Sequence, residues 1–243
     1  MSERRTETEG GGWVEPTQPV GERVEGGPAL LPKADVIEGR FVRLEPLDPD
    51  AHAAALYERS HASAEDEAIW TYMTYGPFDG SEQMRAWLVG NAASSDPSFF
   101  TVVESATGEP AGLVSVMTID AAMRRLELGN IWYVRSAQRG RINTEAVFLL
   151  LREAFERWGY RRAEWKCDSL NARSRAAAER LGFTFEGVFR SHMIVKGRNR
   201  DTAWFSMLDT EWVSRRDAMR RWLDAEPGTV SLRELMPGAP GAS

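Results

Sequence analysis

Arg135-Ser136-Ala137-Gln138-Arg139-Gly140-Arg141-Ile142-Asn143-Thr144-Glu145 is the stretch whose reading decides the fold. It joins a strand-like segment, Arg125 to Val134, to the longest helical pattern in the chain. That pattern runs from Asn143-Thr144 through Val147, Leu150, Leu151, Ala154, Phe155 and Trp158, with Gly159 in the stop position. A helix N-terminus leaves backbone N–H groups unpaired and carries partial positive charge. A loop that wraps into one makes an anion site suited to pyrophosphate. Arg139 and Arg141 add formal charge there. The same residues also read as an ordinary strand-to-helix loop with solvated arginines.

Outward from this junction the hydrophobic period alternates between strand and helix. Upstream, Phe99 to Glu104, Ala111 to Ile119 and Arg125 to Val134 read as three strands of an antiparallel meander. Before them come a strand at Phe41 to Leu44, a helix opened by Asp48-Pro49, the aromatic segment Ile69 to Phe78, and a helix capped by Ser81. Downstream lie a strand over Arg162 to Cys167, a short helix from Asn171 to Leu181 ended by Gly182, and strands over Phe183 to Arg190 and Ala203 to Leu208. A last helix spans about Glu211 to Leu223. The order β-α-α-β-β-β-α-β-α-β-β predicts an α/β (α+β) fold, a mixed central sheet with helices on both faces.

The 243 residues suit one domain with appendages. Residues 1–30 hold six Gly, three Pro and six Glu, too little apolar surface to offset ordering entropy, and are expected to form a flexible tail in which Trp13 and Val14 alone could dock. Residues 31–212 form the expected domain; 213–243 supply a helix and a loose end after Met236. A hydrophobic share of 42% with 27% charged residues argues against a fully disordered chain. No apolar run reaches about 18 residues, and the first residues lack the apolar core of a secretory signal. The expected setting is the cytoplasm. One cysteine, Cys167, excludes an internal disulfide and a cysteine-based zinc cage, and His52, His61 and His192 lack metal-ligand spacing. A net charge of −6 disfavours nucleic-acid binding.

The segment Gln138-Arg139-Gly140-Arg141-Ile142-Asn143, followed by Thr144-Glu145-Ala146, resembles the coenzyme A loop of GCN5-related N-acetyltransferases (GNAT), in the branch that includes ribosomal-protein N-terminal acetyltransferases. Asn171-Ala172-Arg173-Ser174 with Leu181-Gly182-Phe183 resembles the family's Asn-x-x-Ser helix start and Leu-Gly-Phe end. Gly187-Val188-Phe189-Arg190 and Lys196 to Thr202 also look like this branch. The likeness covers about Gly39 to Trp212. It implies an acetyl-CoA co-substrate, no metal, and binding by Ile131, Trp132, Tyr133, Gln138, Arg139, Gly140, Arg141, Ile142, Asn143, Thr144 and Asn171. Ile131 to Tyr133 would supply the backbone N–H that holds the oxyanion, and Ser174 matches the position that protonates the departing thiolate. Where the family loop has Gly and Gly/Ala, this chain has Arg141 and Asn143.

Amine acylation needs a base, an oxyanion site and a leaving thiolate. Glu127, between Leu126 and Leu128, is the candidate base; it also reads as a side chain facing solvent or pairing with Arg124 or Arg125. Trp70, Tyr72, Met73, Phe78 and His192 are expected to wall the acceptor, although core packing explains Trp70 and Phe78 as well. Cys167 reads as a small buried residue. The expected activity is acyl transfer from a coenzyme A thioester to a small-molecule or protein amine, by direct attack in a ternary complex. A donor on an acyl carrier protein, a non-catalytic acyl-CoA sensor and an RNA-associated regulator remain as alternatives. The protein is expected to be a monomer or homodimer, with neither membrane nor nucleic acid as partner.

Overall fold

The computed structural model describes residues 18–33 and 35–238. Eight strands form one sheet: β1 (Ile37–Glu38), β2 (Val42–Pro46), β3 (Ser98–Glu104), β4 (Pro110–Asp120), β5 (Arg125–Tyr133), β6 (Arg162–Asp168), β7 (Thr184–Val195) and β8 (Arg198–Leu208), in spatial order β1-β2-β3-β4-β5-β6-β8-β7. All neighbours are antiparallel except β5 and β6. That parallel pair requires a crossover, and α4 (Arg141–Arg152) supplies it.

The helices divide between the two faces because side chains alternate along each strand. Phe99, Thr101 and Trp132 point to one face, where α1 (Pro49–Ser60), α2 (Ala64–Glu67), a 3₁₀ turn at Ala68–Tyr72 and α3 (Ser81–Ala92) pack. Asp48 caps α1, accepting from Asp50 N and Ala51 N, with Pro49 at the first helical position. The buried His52 ties α1 to the sheet through Thr101 Oγ1 (2.8 Å) and Glu45 Oε2 (3.0 Å). Trp165 and Tyr133 point to the opposite face, which carries α4, α5 (Ala172–Arg180), α6 (Asp209–Asp224) and α7 (Leu232–Leu235).

Several boundaries differ from the sequence expectation. Helix α4 begins at Arg141, not Asn143, because Gly140 takes an extended N-cap conformation (φ −109°, ψ −158°). Ser81 is the first residue of α3 rather than its cap; Gly80 holds that place, with no side-chain bond. The tail is pinned near its end, where Ala29 N donates to Ala121 O and Leu30 N to Trp158 O. Trp13 and Val14, and with them the first part of the expected flexible tail, lie outside the described residues. After α6 the chain turns back, and Leu232 and Met236 bury on the body.

A deeper tie joins α4 to the sheet edge. The buried Glu145 carboxylate accepts Arg40 N (2.9 Å), Phe41 N (2.5 Å) and Val42 N (2.8 Å). A Cβ on Gly39 would lie 2.7 Å from Val42 O and 2.8 Å from Glu145 Oε2, so the turn needs glycine there. Glu145→Gln turns an NH₂ donor toward amides that need acceptors. It should cost about 2–4 kcal/mol, the scale of lost charge-assisted hydrogen bonds to buried groups. Urea unfolding reads this as a lower midpoint at unchanged slope; an unshifted midpoint would show that the three amides find other acceptors.

Candidate active site

The site grows from an irregularity in β5. Its ladder to β4 pairs Gly129 with Ser115 and Trp132 with Leu113, so two residues of β5, Asn130 and Ile131, oppose Val114 alone. Asn130 takes the left-handed conformation (φ 52°), and its Nδ2 donates to Ser115 Oγ (3.0 Å), which itself donates to Gly129 O (3.0 Å). Gly112 accommodates the close approach; a Cβ there would lie 2.1 Å from Trp132 O. Pairing of β5 with β6 ends at Leu128 and Trp165. Beyond that point the strands part, leaving Ile131, Trp132 and Tyr133 without β6 as a partner.

The parting strands lead to the loop expected to hold phosphate. Arg139 is left-handed (φ 63°), Gly140 extended, and no side chain caps α4 among the described residues. The amides that open the helix therefore keep their donors for a ligand. Gln138 Nε2 donates to Tyr133 O (3.0 Å), fixing the loop to the strand end. Arg139 is exposed, whereas Arg141 departs from expectation. Its guanidinium donates to Ala225 O and lies 4.8 Å from the Phe41 ring centre, so it braces the end of α6. Thr144 is buried and its hydroxyl accepts from Arg180 Nη1 (3.0 Å). Ile142 is half-buried, and Asn143 Oδ1 is buried without a partner.

Glu127 neither faces solvent nor pairs with Arg124 or Arg125. It is 7% exposed, and its Oε2 meets Lys166 Nζ at 2.8 Å and accepts from Thr118 Oγ1 at 3.1 Å. Thr118 is placed by a bulge in β4, held by Asp96, whose carboxylate accepts Thr118 N (2.8 Å) and Ile119 N (3.0 Å). Lys166 also meets Glu164 Oε2 at 3.1 Å and lies 4.0 Å from the Trp204 ring centre. Strand register places Glu127, Glu164, Lys166 and Trp204 on one face.

Asn171 and Ser174 lie on the other face. Asn171 caps α5, its Oδ1 accepting Ser174 N (3.1 Å). Ser174 Oγ accepts from Trp165 Nε1 (3.0 Å), so the hydroxyl is aimed from β6. Cys167 is buried within hydrogen-bonding reach of Ser174, and burial pushes its thiol up, away from the thiolate a nucleophile needs.

The acceptor residues separate by burial. Trp70 is fully buried and Phe78 nearly so, in a stack with His61, Tyr75, Trp87 and Trp132; both support the wall from behind. Trp70 Nε1 and Trp132 Nε1 are buried without partners. Met73 is partly buried. Tyr72 reaches across the gap, its hydroxyl donating to Leu170 O (3.2 Å), while Lys196 Nζ donates to Trp70 O (2.8 Å). These two bonds fasten the aromatic segment to the β6–α5 loop and to the β7–β8 hairpin. His192 bonds Thr202 Oγ1 (2.9 Å) and borders an open hollow of about 860 Å³ that also includes Phe189 and Asp201.

Sequence reasoning missed Lys166, Thr118, Asp96, Tyr75 and Arg180. Alternation of Glu164, Lys166 and Asp168 was a usable signal for Lys166 once β6 was set beside β5. Nothing in the spacing pointed to Arg180.

Comparison with known proteins agrees with this architecture. Residues 42–184 match the family model described as "Acetyltransferase (GNAT) domain". A GCN5-related N-acetyltransferase from Brucella melitensis is 40% identical and superposes with a TM-score of 0.83 over 86% of this chain and 97% of its own. A Chromobacterium violaceum structure titled "probable acetyltransferases (GNAT family)" is 41% identical, with a TM-score of 0.74 over 82% of this chain and 100% of its own. A Bacillus subtilis protein described as "Putative ribosomal N-acetyltransferase YdaF" is 32% identical over 105 residues, 43% of this chain, so the match spans only 57% of that relative's length. With more than half of its length matched by the family model and full-length relatives of about 40% identity, the chain belongs to the GNAT acetyltransferase family.

Proposed function

We propose that the protein moves an acetyl or related acyl group from a coenzyme A thioester to a primary amine by direct attack within a ternary complex. The observation that carries this reading is the opening between β5 and β6. It joins an uncapped helix N-terminus on one face to the Glu127 cluster on the other. Gln138, Arg139, Gly140, Ile142 and Asn143 form the loop that would hold the phosphates, and Asn171 the residue beside the pantetheine arm. The donor supplies the activated acyl group. Beyond Leu128, amides of Ile131 to Tyr133 that point away from β4 have no β6 strand to pair with and suit a developing oxyanion.

Glu127 is suited to take the amine's proton, directly or through water, and Lys166 fixes its orientation. Trp165 orients Ser174 toward the same gap, where a hydroxyl can give a proton to a departing thiolate. The high-lying Cys167 thiol disfavours a covalent acyl-enzyme. Among the described residues no group of side chains is arranged to hold a metal, and no helix is long and apolar enough to cross a membrane. The description of the Bacillus relative makes protein α-amines the first acceptor class to test.

Thiol release from acetyl-CoA over a panel of peptide and small amines tests the assignment. Glu127→Gln should lower kcat about 10²-fold or more at pH 8, the usual loss when a general base is removed, while the KM for acetyl-CoA changes little. Wild-type protein that binds acetyl-CoA but turns over no amine on the panel would point to a sensor instead.

The aromatic wall carries its own pH signature. His61 Nε2 accepts Phe78 N (3.0 Å), so the ring must be unprotonated there, and burial holds its pKa below the ordinary histidine value. A histidine depressed in the folded state binds its proton more readily unfolded, so stability is full above the unfolded pKa near 6.5 and falls as pH drops below it. Tm should decline between pH 7 and 5, and His61→Gln should flatten that slope. An identical slope in both proteins would assign the acid sensitivity elsewhere.

A further inference from the structure

We infer that Arg180, at the C-terminal end of α5, is an anion-binding residue that completes the phosphate site from the neighbouring helix; the inference rests on the thioester-donor reading above. Charge at the α4 N-terminus was expected from Arg139 and Arg141, but Arg141 is committed to Ala225 O and the Phe41 ring. Arg180 brings a cation to the first turn of α4. Its Nη1 donates to Thr144 Oγ1 in the first turn of α4, and its guanidinium stands 5.9 Å from the Trp222 ring centre. No carboxylate pairs with it among the described residues, although burial works against its charge.

A half-buried guanidinium without a counter-ion is unusual, because desolvation costs most where nothing compensates it. An orphaned donor shares the neighbourhood. The Tyr133 hydroxyl is buried without a hydrogen-bond partner on a residue only 7% exposed, and Arg180 acts on it electrostatically. A cation, a hydroxyl donor and free helix amides thus converge with no anion supplied by the protein. Phosphate oxygens satisfy all three donor types, and a guanidinium can meet two of them at once. Arg180 therefore binds either the pyrophosphate of the donor or its 3′-phosphate.

Calorimetry on the full chain separates these cases, using CoA, dephospho-CoA and inorganic pyrophosphate with wild type, Arg180→Met and Arg180→Lys. Arg180→Met should weaken CoA at least about tenfold, as expected for a lost charge-assisted contact, with partial recovery in Arg180→Lys and Tm near wild type. An equal loss with dephospho-CoA assigns Arg180 to the pyrophosphate; a loss confined to CoA assigns it to the 3′-phosphate. Wild-type CoA affinity in a folded Arg180→Met overturns the inference and leaves the donor reading standing. Wild type that binds pyrophosphate in an Arg180-dependent way but not CoA keeps the anion site and removes the donor reading. Wild type that binds none of the three overturns both.

Discussion

One extra residue in β5 governs the working part of this molecule. A regular β5 would continue its ladder to β6 and seal the sheet. The Asn130–Ile131 bulge bends the strand away after Leu128, so the parallel pair stays bonded at one end and opens at the other. The bulge is held by side chains, Asn130 and Ser115, and by a glycine at position 112 that lets two backbones touch. Because side chains alternate across the sheet, the two faces beside the opening carry different residues. Glu127 and Lys166 approach from one side, Ser174 and Asn171 from the other.

Charge placement around the opening is asymmetric. On the Glu127 face the charges next to Glu127 are paired: Lys166 sits between Glu127 and Glu164, and Arg162 bonds Glu164 and Glu186. The Arg162 guanidinium holds the Glu186 carboxyl down to about 2. On the α4 face the helix end is uncapped, and among the described residues no carboxylate pairs with Arg180. A neutralised face suits a proton-transfer site, whose groups need fixed orientation. An uncompensated positive face suits capture of an anion, because the ligand itself supplies the missing charge.

The aromatic segment Ile69 to Phe78 is fastened across the opening by few bonds. Tyr72 to Leu170 O and Lys196 to Trp70 O are the single hydrogen bonds that tie it to the β6–α5 loop and to the β7–β8 hairpin. The wall behind them is dense, with Trp70 in contact with His61, Tyr75, Phe78 and Trp132. A rigid wall with lightly tied rims can hold a shape while admitting a substrate over its edge.

Much of this was legible in the chain itself. Local chemistry settles where Asp48-Pro49 starts a helix, where Asn171 caps one, and where Gly159 and Gly182, both at positive φ, end one. Alternating and helical periods settle the element order, and the Gln138–Asn143 loop with Asn171 and Ser174 settles the family. These are short-range signals, carried by residues a few positions apart. The partners of Glu127, the diversion of Arg141 to Ala225 and the arrival of Arg180 at Thr144 required the tertiary structure. They join residues 36 to 84 positions apart, except Thr118 with Glu127, where only the bulge in β4 decides the contact. A long flexible side chain can reach several partners, and only the assembled sheet and helices determine which one stands within hydrogen-bonding distance.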